Sequence, residues 1–288
     1  MIWHDIRDPD DPQLEKLAEQ YKLHPLHIED CRHGGQSAKV EEQGDYLFIV
    51  VKPIHLDEKY ELTIGDLDFF LGKDYLITVQ EPNCKGVAAI LDRLRRTCDK
   101  LRPDQLLYRI IDAVVDAYLP VLDKFNDCID ELEDSVLDNP EPRTLQQIFE
   151  MKRKLIEVRR VLTNMRDVAG HLQRTESELI GRDLAPFLRD VYDHVARNLD
   201  MIETQRDLVN GSLDIYLSSV ANRTNQVMKV LTFMGTIALP ALVISGIYGM
   251  NVKGLPWVDS PHALAIVSGL IIALSVALVW LLHRFRWF

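Results

Sequence analysis

The sequence is poor in cysteine, and the four it has, Cys31, Cys84, Cys98 and Cys128, form no Cys-x-x-Cys step. No disulfide framework is therefore expected, and the four read as reduced thiols packed in cores or on helix faces. Basic residues are in deficit, with 33 Lys and Arg against 44 Asp and Glu and a net charge of −11. An acidic surface repels phosphate, which excludes a general nucleic-acid binder. Enzyme signatures are missing too: there is no GxxxxGK(S/T), GxSxG, HExxH or GxGxxG. Neither catalysis nor an organic cofactor is expected, and nothing here would drive a pump. Apolar residues are not scarce, and 47% of the chain is enough to bury a core, so a disordered chain is excluded as well. Charge is absent altogether from Val230–Met250 and from Ala263–Leu282. As helix, each run of about twenty residues spans roughly the 30 Å hydrocarbon core of a bilayer.

Topology follows from the flanking charges. Arg223 and Lys229 precede the first run and Arg284 and Arg286 follow the second, while the connection Asn251–His262 carries only Lys253 and Asp259. This bias puts both termini in the cytoplasm and the short loop outside. Met1–Pro12 holds several aspartates and no apolar run, so no signal peptide is expected and the soluble part stays on the side of synthesis.

Residues 1–102 mix helix and strand. Asp11-Pro12 marks a helix start, His24-Pro25 a second, and Tyr46–Val51 reads as a buried strand. Leu67–Leu71 and Tyr75–Val79 form a hairpin across Gly72-Lys73-Asp74, and Asn83 caps a helix from about Lys85 to Leu101. From Pro103 the pattern is purely helical. One helix runs from Asp104 to Leu137 with a kink at Pro120, and a second from Arg143 to Leu179 returns antiparallel to it. No proline falls between Pro186 and Pro240, and Leu188, Val191, Val195, Leu199, Ile202, Val209, Leu213 and Leu217 fall mostly at three- and four-residue steps, so one helix from about Asp183 to Met250 enters the membrane without a stop. The fold class is an α+β cytoplasmic domain, then long stalk helices, then two C-terminal transmembrane helices. Its expected divisions are 1–102, a stalk over 103–228, a pore-lining span over 229–251, an outer loop over 252–261, and a second span with basic tail over 262–288. Two spans cannot enclose a water-filled path, so a conducting form needs several copies around an axis. The competing reading is a membrane-anchored scaffold that conducts nothing.

The first span ends in Tyr248-Gly249-Met250-Asn251. Here the sequence resembles the CorA family of magnesium and cobalt transport proteins, whose signature is Gly-Met-Asn at the end of the penultimate span. Leu213–Ser219, Asn222, Thr224-Asn225, Val227–Thr232, Pro240 and Gly246–Tyr248 are similar to the family's pore helix, as are His24-Pro25-Leu26 with Glu29-Asp30 and the Phe187–His194 segment farther off. The resemblance implies a funnel-shaped homopentamer in a bacterial or archaeal inner membrane, whose partners are other copies of itself, the lipid bilayer and divalent cations. It takes up Mg²⁺ or Co²⁺ down the membrane potential and is closed by internal Mg²⁺, which is thus both cargo and regulator. It assigns Gly249, Met250 and Asn251 to the selectivity filter, and Asn225, Met228, Leu231, Gly235, Leu239, Leu242 and Gly246 to the pore wall, with Met228 and Leu231 as a hydrophobic constriction. Regulatory cations are implied at carboxylates, with Asp214 in the matching segment and Asp190 and Asp57 as further candidates. Independently, Mg²⁺ dehydrates reluctantly, so a ring of Asn251 amides suits contact with its water shell; capping of the helix by Asn251 is the alternative.

Two positions depart from the family. Leu242 stands where many members carry threonine, and Lys253 lies near a common glutamate. Leu242 makes the middle of the pore drier than the family's usual pattern, and the lysine-bearing loop is closer to the zinc-transporting ZntB branch of the superfamily, which keeps a Zn²⁺ transporter, proton-coupled or not, as the alternative. His24, His27, Cys31 and His33 supply nitrogen and sulfur ligands that suit zinc, although a fortuitous cluster is the favoured reading because His24 belongs to the helix start.

Overall fold

Six consecutive aromatic and aliphatic residues, Tyr46–Val51, form a strand buried on both faces, as a β-branched and aromatic run without polar alternation favours, and this strand lies at the centre of the soluble fold. A computed structural model describes residues 1–82, 84, 86–96, 101–138, 141–250, 254–257 and 260–285. In chain order its elements are β1 (Ile2–Ile6), α1 (Pro12–Tyr21), α2 (Pro25–His33), β2 (Lys39–Gln43), β3 (Tyr46–Val51), β4 (Ile54–Leu56), β5 (Leu62–Ile64), β6 (Leu67–Gly72) and β7 (Tyr75–Gln80). The helices α3 (Val87–Arg95), α4 (Pro103–Asp116), α5 (Tyr118–Asp138), α6 (Pro142–Arg174), α7 (Ala185–Tyr248) and α8 (Ala263–Arg284) follow, with a 3-10 turn at Arg182–Leu184 before α7. Two parts are compact in themselves, Met1–Leu213 and Asp214–Phe288.

In the first part the sheet order is β1-β7-β6-β3-β2, antiparallel except for the parallel β1–β7 pair, and β4–β5 is a separate small hairpin. Alternation sorts the strand residues. Tyr46, Phe48, Val50, Phe70, Ile77 and Val79 pack with Leu14 and Leu17 of α1 and Ile28 and Cys31 of α2. The intervening residues Leu47, Ile49, Val51, Phe69 and Leu71 are fully buried on the opposite side, where α4 and α6 lie. The two helix starts expected at Asp11 and His24 are real caps: the Asp11 carboxylate accepts from the Gln13 amide at 2.8 Å, and His24 Nδ1 accepts from the Leu26 amide at 3.3 Å. Of the expected third helix the structure describes Val87–Arg95; Asn83 and Lys85 lie outside the described residues.

The expected single helix from Asp104 to Leu137 is instead two. The ladder closes at Asp116 and restarts at Tyr118, so that Pro120 falls in the first turn of α5. Proline lacks an N–H and its ring opposes the carbonyl four residues back, which opens the helix before the proline, whereas a first turn needs no N–H there. The next helix stops at Arg174, short of Leu179. Thr175 leaves it with extended backbone, its hydroxyl donating to the Glu42 carboxylate at 3.0 Å and accepting from the Ser177 amide.

Contacts fix the helix directions in this part. Arg102 reaches Asp183, the Tyr108 ring lies tilted against Phe187, Asp116 faces His194 and the Leu122 carbonyl meets Gln205. Both partners advance together, so α4–α5 run parallel to the first half of α7. Gly170 lies against Tyr192 and Arg159 pairs with Glu203, so α6 runs antiparallel to it.

Candidate functional site

The first candidate is the apolar second half of α7. Pro240 lies inside it and leaves the Thr236 carbonyl without its ladder donor, yet the helix continues to Tyr248. Gly249 then closes it, its amide donating to the Ser245 carbonyl at 2.8 Å, while the Met250 amide donates to Ile247. A Cβ on Gly249 would stand 2.9 Å from that same Ser245 oxygen, closer than side-chain carbons approach, so the turn requires glycine. Asn251 and Lys253, which the sequence places in the filter and at the mouth, lie outside the described residues.

Within this second part α8 lies along one face of α7. The Ser275 hydroxyl donates to the Ile237 carbonyl at 3.5 Å, and the Tyr248 hydroxyl to the Pro256 carbonyl at 3.1 Å. Phe233, Ile237 and Ala241 share a groove with Ile271, Ile272 and Val276 of α8. At 3.6 residues per turn the face centred on Met228, Gly235, Leu239 and Gly246 lies about 180° from this one. All seven residues expected to line a pore are exposed in the single chain, Met228 by 60%, Leu231 by 67% and Leu242 by 69%. A continuous apolar face, with small residues at Gly235 and Gly246, is thus turned away from the only described helix that packs on this half.

The expected regulatory carboxylates are not one cluster. Asp57 belongs to the β4–β5 turn, where its Oδ1 accepts from the Lys59 and Glu61 amides at 2.8 Å each. Asp214 is exposed on α7. Asp190 sits one turn before His194, its Oδ2 3.7 Å from His194 Nε2. That histidine brings the residues which sequence reasoning missed. Asp112, Asp116 and His194 hold their ligand atoms within 4.8 Å of one another, the one such group of three among the described residues. The Asp116 carboxylate is 3.6 Å from His194 Nδ1. Burial and the neighbouring Asp116 push the Asp112 carboxyl above its ordinary range, and His194 opposes this. Two carboxylates and an imidazole, with Asp190 beside them, suit a divalent cation. The legible signal was the same four-residue spacing on two helices, Asp112 with Asp116 and Asp190 with His194, but in a chain with 44 acidic residues such pairs are common.

The histidine and cysteine cluster does not converge. His24 caps α2; the buried His27 stacks on Phe48, with Nδ1 at 2.8 Å from the Tyr46 hydroxyl and Nε2 at 2.9 Å from Glu41. Burial lowers its pKa, against the raising effect of Glu41. Cys31 is bonded to Asp68, and His33 Nδ1 lies 3.1 Å from the Glu29 carbonyl. Each donor is committed within the fold.

A family described as CorA-like Mg²⁺ transporter protein matches residues 1–284. The cobalt/magnesium transport protein CorA of Thermotoga maritima is 38% identical over 278 residues, covering 95% of this chain and 79% of that protein. The complete structure of the CorA magnesium transporter from Methanocaldococcus jannaschii superposes with a TM-score of 0.87 at 27% identity, covering 99% of this chain and 91% of that one. The cytoplasmic domain of ZntB from Vibrio parahaemolyticus shares the fold of the soluble part, with a TM-score of 0.65 at 15% identity over 76% of this chain and 88% of that one.

Proposed function

The chain belongs to the CorA-like Mg²⁺ transporter family and is a membrane protein that moves divalent cations, and from that premise we propose that it is a passive Mg²⁺ uptake channel, also admitting Co²⁺. The observation that carries this reading is the uncovered apolar face of α7, which lies opposite α8 and ends at the Gly249 turn. Five copies arranged with that face inward form a closed pathway, with both termini cytoplasmic and α8 toward lipid. Met228 and Leu231 close it by dewetting, and Asn251 amides at the outer mouth meet the hydrated ion. The driving force needs no nucleotide: the membrane potential supplies about 2.3 kcal/mol per charge per 100 mV, about twice that for a doubly charged ion. The divisions at 102, 228, 251 and 261 then separate sensor, stalk, pore, mouth and outer span.

Closure is governed from inside. Internal Mg²⁺ occupying Asp112, Asp116 and His194, with Asp190 at its edge, holds α4 to α7 and favours the closed form by linkage. Asp214 and Asp57 are further candidate ligands between copies. Uptake into liposomes, read with magnesium- and zinc-sensitive dyes under an imposed potential or pH gradient, tests the whole reading. Magnesium flux that follows the potential, falls with internal magnesium and disappears in Asn251→Ala is the expected result. No flux under any condition would leave only the anchored scaffold. Zinc flux following the pH gradient would move the protein to the ZntB-like alternative, which Lys253 and the imidazole of His194 favour, and Leu242 would then be a residue to explain.

A further inference from the structure

The buried seam of α7 in the soluble part alternates chemistry by the heptad. Leu188, Val195, Ile202 and Val209 recur every seven residues, and between them fall Val191, Asn198, Gln205 and Ser212, all of them buried. Three successive heptads therefore place a polar side chain in a packed seam, with exposures of 5%, 3% and 0% for Asn198, Gln205 and Ser212. The Ser212 hydroxyl is 2.9 Å from the Leu208 carbonyl and 3.4 Å from Glu133. Gln205 is different. Its Nε2 crosses to α5 and donates to the Leu122 carbonyl at 2.7 Å, while its Oε1 is the one buried side-chain polar atom, among the described residues, with no hydrogen-bond partner. An apolar side chain of similar size would relieve that orphan, so glutamine stands here at a cost in stability. Buried polar groups held at such a cost are best attested as devices that fix register.

We propose that Gln205 is a positioning residue for gating, which locks the axial register of α7 against α5 and so keeps Asp112 and Asp116 of α4 in place opposite His194. A slip of three or four residues would move the amides into the slots of Val195, Ile202 and Val209 and strip Gln205 of its bond to the Leu122 carbonyl. The polar alternation forbids that slip, whereas an all-apolar seam permits it. The first half of α7 therefore moves with α4 and α5 as one body, and a cation bound by the Asp112 group acts on a helix that cannot slide away from it.

This inference rests on closure by internal Mg²⁺, and the test separates the two. Gln205→Leu and Gln205→Met are made in the full-length protein, and thermal melting, hydrogen exchange over residues 195–212 and liposome flux at graded internal Mg²⁺ are measured. The leucine variant is expected to melt higher by about 2–4 °C, because the orphaned acceptor is gone. Its flux without internal Mg²⁺ stays at the level of the unsubstituted chain, while the inhibitory midpoint rises roughly two- to thirtyfold and exchange over 195–212 quickens. The methionine variant follows it. Higher melting with an unchanged midpoint in both variants makes Gln205 a packing residue only and overturns the proposal, as does lower melting in both. An unsubstituted chain indifferent to internal Mg²⁺ removes the gating reading and this inference together.

Discussion

Burial sets the chemistry of Asp68. It lies on β6 beneath α2, bonded to the Cys31 thiol, with Asp66 and Glu81 adding negative charge and Lys52 committed to Asp66. Loss of hydration pushes its carboxyl up to about 7 from an ordinary 3.8, with the Cys31 bond opposing the rise. Because the folded value is raised, the neutral form stabilises the fold below the unfolded value, and that stability is lost as pH rises through about 7. Melting temperature is therefore expected to fall between about pH 4 and 7 more steeply in the unsubstituted chain than in Asp68→Asn, which stays neutral and can still accept from Cys31. Parallel pH profiles for the two would remove Asp68 from this account. The proposed regulatory role of the Asp112 group is tested at the same scale: Asp116→Asn leaves two ligands of three and is expected to weaken inhibition by internal Mg²⁺ while sparing flux in its absence.

At the scale of elements, the end of α7 depends on one missing methyl group. Gly249→Ala places a carbon against the Ser245 carbonyl, opens the last turn and shifts Met250 and whatever follows it. Flux is expected to be lost while the assembled protein still purifies; full flux in this variant would mean the turn does not set the filter. The same scale shows what periodicity could and could not reveal. α1, α2, β3 and the β6–β7 hairpin were legible because capping residues, a continuous apolar run and a glycine-containing turn act locally. Strands β1 and β2 were not. They lie at the two edges of the sheet, where Ile2–Ile6 includes His4 and Asp5 and Lys39–Gln43 is mostly polar, so neither shows a buried pattern of its own.

For the molecule as a whole, the membrane-spanning part is incomplete as one chain. No residue of α8 is buried, and α7 buries only Pro240 and Ile244 in its last ten residues, so the rest needs cover from outside the chain, which the proposed assembly supplies with neighbouring copies and lipid. A cysteine replacing Leu231, on the face opposite α8, is expected to cross-link copies on mild oxidation, whereas one replacing Ile237, against α8, is not. Equal cross-linking at both positions would contradict the inward orientation of the Met228–Gly246 face.

The sequence by itself determined the class of protein. Charge-free runs and Gly-Met-Asn at a span's end are local in the chain; bilayer thickness turns the runs into two candidate spans, and the tripeptide carries the resemblance to the family that the whole chain matches. Only the tertiary structure decided which acids meet. Asp112 and Asp116 lie 78 residues from Asp190 and His194 in turn, and nothing in the sequence states that α4 and α7 run parallel in that register. Helix packing supplies that pairing, because a ligand group assembled from two helices exists only after their seams have been matched. The same matching leaves Gln205 half-satisfied in a buried seam, a cost that no local pattern announces.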